Sequence, residues 1–144
     1  MSINAARVAD VMGGEGTLGR SISSIGELRE MVEFGLPVTA LDAVVRHVTH
    51  DDRGAAELKY RIVPKTTLRR RQRLDPEESQ RLERLARMTA LAEDVWEDPD
   101  LAHEFLTSAQ PQLGGERPVD LARSDLGTRQ VEMLLMKIEY ALPV

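Results

Sequence analysis

The residues with the clearest chemical potential form a run of positive charge in the middle of the chain. Between Lys59 and Arg73 the sequence has seven Lys or Arg and no Asp or Glu, although the 144-residue chain has a formal net charge of -5. The other 129 residues therefore hold 12 basic and 24 acidic side chains. Guanidinium and ammonium groups donate hydrogen bonds to phosphates and to guanine edges, so a run of this kind suits DNA binding.

The segments around this run predict a helix-turn-helix. "AELKYR" and "PKTTLRRRQ" read as two short helices separated by Ile62 and Val63. A helix over the second segment places Lys65 above Arg69 and turns Leu68 toward the core. Because one recognition helix seldom supplies enough affinity, we expect a homodimer. The predicted contacts with the major groove of DNA come from Lys65, Thr66, Thr67, Arg69, Arg70 and Arg73.

An alternative is that this run is only a solvated face. Its arginines would then form ion pairs with the acidic start of the next helix, for example with Glu77 and Glu78. The compactness of the run and the absence of interleaved acid favour DNA. If DNA is bound, the logarithm of the affinity should fall against the logarithm of salt concentration by about 0.9 for each phosphate contacted.

Two further motifs give weaker evidence of function. "GEGTLG", Gly14 to Gly19, has the G-x-G-x-x-G spacing of dinucleotide-binding loops, but no strand precedes it, so a flexible linker is predicted. The second motif is "HVTHDD", which we interpret as polar helix-end residues rather than a metal site. We predict no metal and no cofactor. The candidate metal ligands would be His47, His50, Asp51, Asp52 and His103.

Several classes of function are disfavoured. The chain has no cysteine, which removes thiolate nucleophiles, Cys-based zinc sites and disulfides. Its Ser, His and carboxylate residues show neither a nucleophile elbow nor paired acids, so we predict that it is not an enzyme. The N-terminal segment lacks signal-peptide features, and no segment approaches the ~20 apolar residues of a membrane span. A cytoplasmic protein without a membrane partner is expected.

Composition and helix-start signals predict an all-α fold. Hydrophobic residues make up 42% of the chain but aromatic residues only 3%, so the core must consist mainly of aliphatic side chains, which suit helices. Ser24, Asp75 and Asp98 each precede an amphipathic segment and are predicted N-caps. We predict three parts, which are a flexible N-terminal tail over residues 1–20, a helix-turn-helix domain over 21–74 and a small helical domain over 75–144.

Two segments of the second half could contact a partner. In "QPQLGGERPVDL", prolines restrict a loop whose glycines permit a sharp turn, and Leu113 either faces a partner or fills the core of its own domain. The terminal "IEYALPV" is apolar where solvent favours polar residues. It is covered by intramolecular packing, by a dimer seam or by a partner.

Together these blocks resemble the Xre/MbcA/ParS antitoxin family. The likeness in the second half lies in "LDPEESQRLERLAR" at 74–87, "QPQLGGERPVDLARS" at 110–124 and "VEMLLMKIEYALPV" at 131–144. Upstream, "GLPVTALD" and "IVPKTTLRRRQ" are similar to the entry and the recognition helix of the Xre-like DNA-binding domain of that family. The resemblance implies a helix-turn-helix domain followed by a helical toxin-binding domain.

The resemblance also implies a function. Members neutralise RES-type toxins, which consume NAD, or related ADP-ribosyl transferring toxins, and they repress their own operon. The expected partners are a cognate toxin and operator DNA, with the antitoxin homodimer inside a larger toxin–antitoxin complex. A stand-alone repressor whose C-terminal domain only dimerises is the alternative, and an adaptor for an acidic protein is a third class. The toxin contacts implied are Leu113, Gly114, Gly115, Arg117, Pro118, Glu139, Tyr140, Ala141, Leu142 and Val144.

Overall fold

The all-α prediction is confirmed. A computed structural model describes residues 3–140 and contains, within them, helices, one 3-10 turn at Pro111–Leu113 and an isolated antiparallel bridge between Pro37 and Arg73. The helices are α1 (Ala5–Val11), α2 (Gly14–Leu18), α3 (Ile25–Phe34), α4 (Val38–Thr49), α5 (Asp52–Ile62), α6 (Lys65–Leu68), α7 (Pro76–Trp96), α8 (Pro99–Thr107), α9 (Pro118–Leu121) and α10 (Asp125–Glu139).

The predicted N-caps begin three of these helices. The Ser24 hydroxyl accepts a hydrogen bond from the Glu27 amide at 3.1 Å, and Asp98 caps α8 in the same way. At α7 the capping box is complete, since Asp75 accepts from the Glu78 amide at 2.7 Å and Glu78 accepts from the Asp75 amide at 2.9 Å. These bonds satisfy amides that the first turn of a helix leaves without partners.

The long helix α7 lies at the centre of the fold. It contacts α1, α3, α4, α5, α8 and α10, and its inward residues Leu82, Leu85 and Met88 are at most 1% exposed. Buried residues from both predicted domains, such as Val44 and Leu135, belong to the same hydrophobic cluster. The division of the chain at Leu74 therefore stays a prediction. Across residues 3–140, no helix combines the length and hydropathy needed to span a membrane.

The N-terminal segment differs from the predicted flexible tail. Residues 5–18 form α1 and α2, and Val8 and Met12 are buried at 1% and 0% exposure. Arg7 also donates to the Asp94 carboxylate on α7 at 2.8 Å. The apolar residues of α1 recur at helical spacing, and the face they form packs against α7. Gly13 and Gly19, with φ of 103° and 80°, flank α2 rather than loosening it into a linker.

Candidate nucleic-acid and partner-binding surfaces

The helix-turn-helix arrangement of α5 and α6 is present. Asp51 caps α5 by accepting from the Gly54 amide at 2.6 Å, and only Val63 and Pro64 separate α5 from α6. Val63 is fully buried and Leu68 packs against the core. These two side chains hold the turn against the rest of the protein.

The second helix is shorter than predicted. It ends at Leu68, and the following residues, Arg69 to Arg73, form what we call the basic turn. Arg70 there has φ of 67°, a backbone region that non-glycine residues seldom adopt. The helix stops because the chain pairs with the α3–α4 connection. The Val38 amide donates to the Gln72 carbonyl at 2.9 Å, and the Leu74 amide donates to the Leu36 carbonyl at 2.8 Å.

All six predicted DNA contacts, including Arg73, lie at the surface. Lys65, Thr66, Thr67, Arg69 and Arg70 are all exposed. Within residues 3–140, no carboxylate forms an ion pair with the three cations of this set. The Lys65 ammonium instead lies 5.8 Å from the centroid of the Tyr60 ring. These three charges are therefore available to a partner.

Arg71 and Arg73 have different environments. Arg71 pairs with the carboxylate of Glu78, a residue that is only 4% exposed, so the ion-pair alternative holds for this arginine. Arg73 donates to the Gly35 carbonyl at 2.8 Å, and its guanidinium carbon lies 4.5 Å from the Phe34 ring centroid. A DNA contact by Arg73 would have to compete with these interactions. Both arginines connect the basic turn to neighbouring residues, and Arg73 is nevertheless exposed.

Gly35 allows close packing of the backbone next to the basic turn. Its φ of 112° disfavours any side chain, and a Cβ there would lie 2.6 Å from the Leu74 carbonyl oxygen. Because Gly35 has no side chain, the α3–α4 connection can lie close to Leu74, the residue that follows the basic turn.

The predicted toxin loop is partly turned inward. The 3-10 turn packs against α10, and Leu113 within it is 6% exposed. Of the two readings that the sequence left open for Leu113, the structure matches the one in which it fills the core. Gly114 and Gly115 follow with φ of 68° and 81° and are exposed. Pro118 begins α9 and is buried.

Arg117 belongs to an ion cluster that joins the two halves of the chain. Its Nε donates to Asp120 at 2.9 Å, while Arg61 of α5 donates to the other oxygen of the same carboxylate at 2.6 Å. Burial would raise the pKa of Asp120, but the hydrogen bonds and charges of Arg117 and Arg61 outweigh it and lower that pKa. The Asp120 bond in turn raises the pKa of Arg117. Any toxin contact by Arg117 would disturb this cluster.

An apolar helix face was missed by sequence reasoning. On α10, Val131, Leu134 and Leu135 are buried, whereas four large apolar residues around them are between 41% and 74% exposed. The sequence does contain a signal for this face, since Leu126, Met133 and Tyr140 recur every seven residues. We call this set the α10 apolar face. It consists of Leu126, Met133, Met136 and Tyr140.

The end of α10 carries the remaining predicted contacts. Glu139 and Tyr140 are exposed at the C-terminal end of this helix. Ala141, Leu142 and Val144, also predicted to touch the toxin, lie outside the described residues.

The histidines take part in pairwise contacts. His47 Nε2 lies 2.8 Å from a Glu93 carboxylate oxygen, and the His50 and His103 rings stack with centroids 4.3 Å apart. In the described range, no group of three or more His, Cys, Asp or Glu is arranged to hold a metal ion.

Comparison with known proteins places this arrangement in a class and then in a family. The tight turn between α5 and α6 in an all-helical chain defines a helix-turn-helix protein. Residues 27–87 match the antitoxin Xre-like helix-turn-helix domain. Residues 91–141 match the antitoxin Xre/MbcA/ParS C-terminal toxin-binding domain. The two matches cover most of the chain, which belongs to the Xre/MbcA/ParS antitoxin family.

A curated relative agrees with this assignment. An antitoxin Xre from Pseudomonas putida is 36% identical over 81 residues, which is 54% of this chain and 51% of the relative. The chain thus spans about half the length of the curated relative it matches. The helix-turn-helix match ends at residue 87, inside α7 and beyond the boundary predicted at Leu74.

Proposed function

We propose that the chain is the antitoxin of a type II toxin–antitoxin system. It binds a RES-type toxin, which degrades NAD or transfers ADP-ribose, and blocks the active site of that toxin. It also binds operator DNA and represses its own operon. The observation that supports this most strongly is the match of residues 91–141 to a toxin-binding domain, in a chain that also matches a helix-turn-helix domain.

The DNA-binding half of the proposal rests on the exposed cations. Lys65, Arg69 and Arg70 project from one short segment and have no carboxylate partner within residues 3–140. Since α6 has only four residues, we expect phosphate contacts from the basic turn to dominate affinity, with Thr66 and Thr67 nearest the bases. A homodimer would place two such segments on one operator.

The toxin-binding half rests on the α10 apolar face and its charge. Exposed apolar patches rimmed by polar residues commonly mark protein interfaces. From Pro76 to Val144 the chain has 7 basic and 14 acidic residues, which complements a cleft that holds a dinucleotide pyrophosphate with arginines. With Leu113 and Pro118 buried, we assign contact to the exposed Gly114, Gly115 and Glu139, together with Tyr140 of this face.

Growth rescue tests the toxin-binding half. A RES-type toxin is co-expressed with the wild-type chain or with Met133→Asp, which places a charge in the centre of the α10 apolar face. We expect the wild-type chain to restore growth and the variant to fail. Leu101→Asp is the control, because Leu101 is 46% exposed on α8, outside that face.

A stand-alone repressor is the second candidate. It would use the exposed α10 apolar face only to dimerise, so Met133→Asp would convert a dimer to a monomer without any toxin being involved. Failure of the wild-type chain to rescue growth, together with tight operator binding, would favour this candidate.

A further inference from the structure

A cavity of about 410 Å³ lies between α5, α7 and α9. Its volume is within the range of small-molecule sites, roughly 300–1,000 Å³. None of its lining residues belongs to the basic turn or to the α10 apolar face. The basic turn and the α10 apolar face therefore leave this cavity without a role.

The interior wall of the cavity is apolar. Leu58 and Ile62 come from α5, Leu85 comes from α7, and Val119 and Ala122 come from α9 and its C-cap. Each of these residues is less than 9% exposed. A ligand that removes its own apolar surface from water would gain free energy against this wall.

The carboxylates at the rim are already neutralised. Arg61 pairs with Asp120 at 2.6 Å and Arg123 pairs with Glu116 at 3.3 Å. The side chains of Arg61 and Arg123 are 57% and 63% exposed, so both ion pairs lie at the solvent-facing edge. Neither pair needs a ligand to balance its charge.

Arg81 is the cation left over. It lines the cavity from α7, one helical turn before Leu85, and is half-buried. Within residues 3–140 no carboxylate pairs with it, and its buried Nε has no hydrogen-bond partner. The cavity thus combines an apolar wall with one uncompensated guanidinium.

We propose that this cavity binds a small amphipathic carboxylate, with its apolar body against Leu58, Ile62 and Leu85 and its carboxylate paired with Arg81. A neutral molecule would leave the guanidinium uncompensated, and a cation would add to the three guanidiniums already present. One guanidinium matches one carboxylate in a bidentate pair, and the apolar wall favours a ligand whose remaining surface is apolar. The proposal does not depend on the toxin or on DNA.

Ligand-dependent thermal unfolding of the full chain tests this site, with octanoate as the probe. Because a ligand stabilises the folded state by RT ln(1 + [L]/Kd), octanoate should raise the Tm of the wild-type chain. In Arg81→Gln we expect the apparent affinity to fall by about tenfold or more. Arg129→Gln, at an exposed arginine of α10, should respond like wild type. Octanol and octylamine have the same alkyl chain as octanoate but no negative charge, so they should raise the Tm much less.

Three outcomes would overturn the proposal. These are no rise in Tm for the wild-type chain at millimolar octanoate, an equal rise in Arg81→Gln, or an equal rise with octanol. If Arg81→Gln does not fold, the comparison of octanoate with octanol and octylamine on the wild-type chain decides the matter.

Discussion

Neighbouring arginines in the basic turn differ in what they touch. Arg69 and Arg70 are exposed and have no carboxylate partner within the described chain, whereas Arg71 pairs with buried Glu78 and Arg73 is bonded to Gly35. From residue type and position alone, the sequence predicted DNA contacts for Arg69, Arg70 and Arg73 alike. The contacts leave Arg69 and Arg70 available to a partner, while Arg71 and Arg73 connect the turn to Glu78 and Gly35.

Replacing both Arg69 and Arg70 by Ala should weaken operator binding and reduce its salt dependence. Each lost phosphate contact lowers the log–log salt slope by about 0.9. Fluorescence anisotropy with labelled operator at several salt concentrations measures both quantities. Arg129→Ala on α10 removes one positive charge outside the basic turn, serves as the control and should bind as wild type does. An unchanged slope in the double variant would rule out phosphate contacts by these residues.

Arg71→Ala should lower stability rather than act on DNA alone. The variant leaves the Glu78 carboxylate, in a residue 4% exposed, without its cation, and an unpaired buried charged group costs about 1–3 kcal/mol or more. Urea unfolding measures the free energy of unfolding. Arg69→Ala should stay within about 0.5 kcal/mol of wild type because its side chain is at the surface. Equal stability of the two variants would mean that the Arg71–Glu78 pair contributes nothing.

At the scale of elements, the N-terminal helices are part of the core. Met12 is fully buried at the end of α1, so Met12→Ala should cost about 2–5 kcal/mol of unfolding free energy. Urea unfolding again provides the measurement, and Ala6→Gln, at an exposed position of α1, is the control. A wild-type midpoint for Met12→Ala would support the flexible tail predicted from the sequence instead.

The contact between α4 and α7 should make stability depend on pH. The hydrogen bond with Glu93 raises the pKa of His47 above its usual 6.5, against the opposing effect of burial. A raised folded-state pKa means that the stabilisation is complete below about 6.5 and is lost as pH rises through the higher folded value. Unfolding midpoints measured across this window should fall with pH in wild type and less steeply in His47→Gln. Parallel curves would exclude His47 as a source.

At the scale of the whole molecule, the all-α fold could be predicted from the sequence because the signals that begin its helices are local. The cap residues Ser24, Asp75 and Asp98 satisfy amides three residues away at most, so their helices could be predicted without tertiary information. The end of α6 could not, because it depends on hydrogen bonds between the basic turn and residues 36–38, more than 30 positions earlier. Likewise, whether Leu113 faces solvent or α10 is decided by long-range packing.

The family assignment rests on blocks that the sequence does contain, and matches at 27–87 and 91–141 agree with it. The basic turn and the α10 apolar face, which lie within those regions, are harder to predict from the sequence. The seven-residue spacing of Leu126, Met133 and Tyr140 is present in the sequence, but only the burial of Val131 and Leu135 shows that this side of α10 is exposed. The arrangement that results has the basic turn and the α10 apolar face as two distinct surfaces on one helical core.

Calorimetric titration of a RES-type toxin into three forms of the chain tests the separation of these surfaces most directly. Wild type and the Arg69→Ala, Arg70→Ala double variant should bind with the same Kd, and Met133→Asp should bind about tenfold more weakly or worse. Absence of binding by the wild-type chain, or equal loss of binding in both variants while they remain folded, would contradict the account.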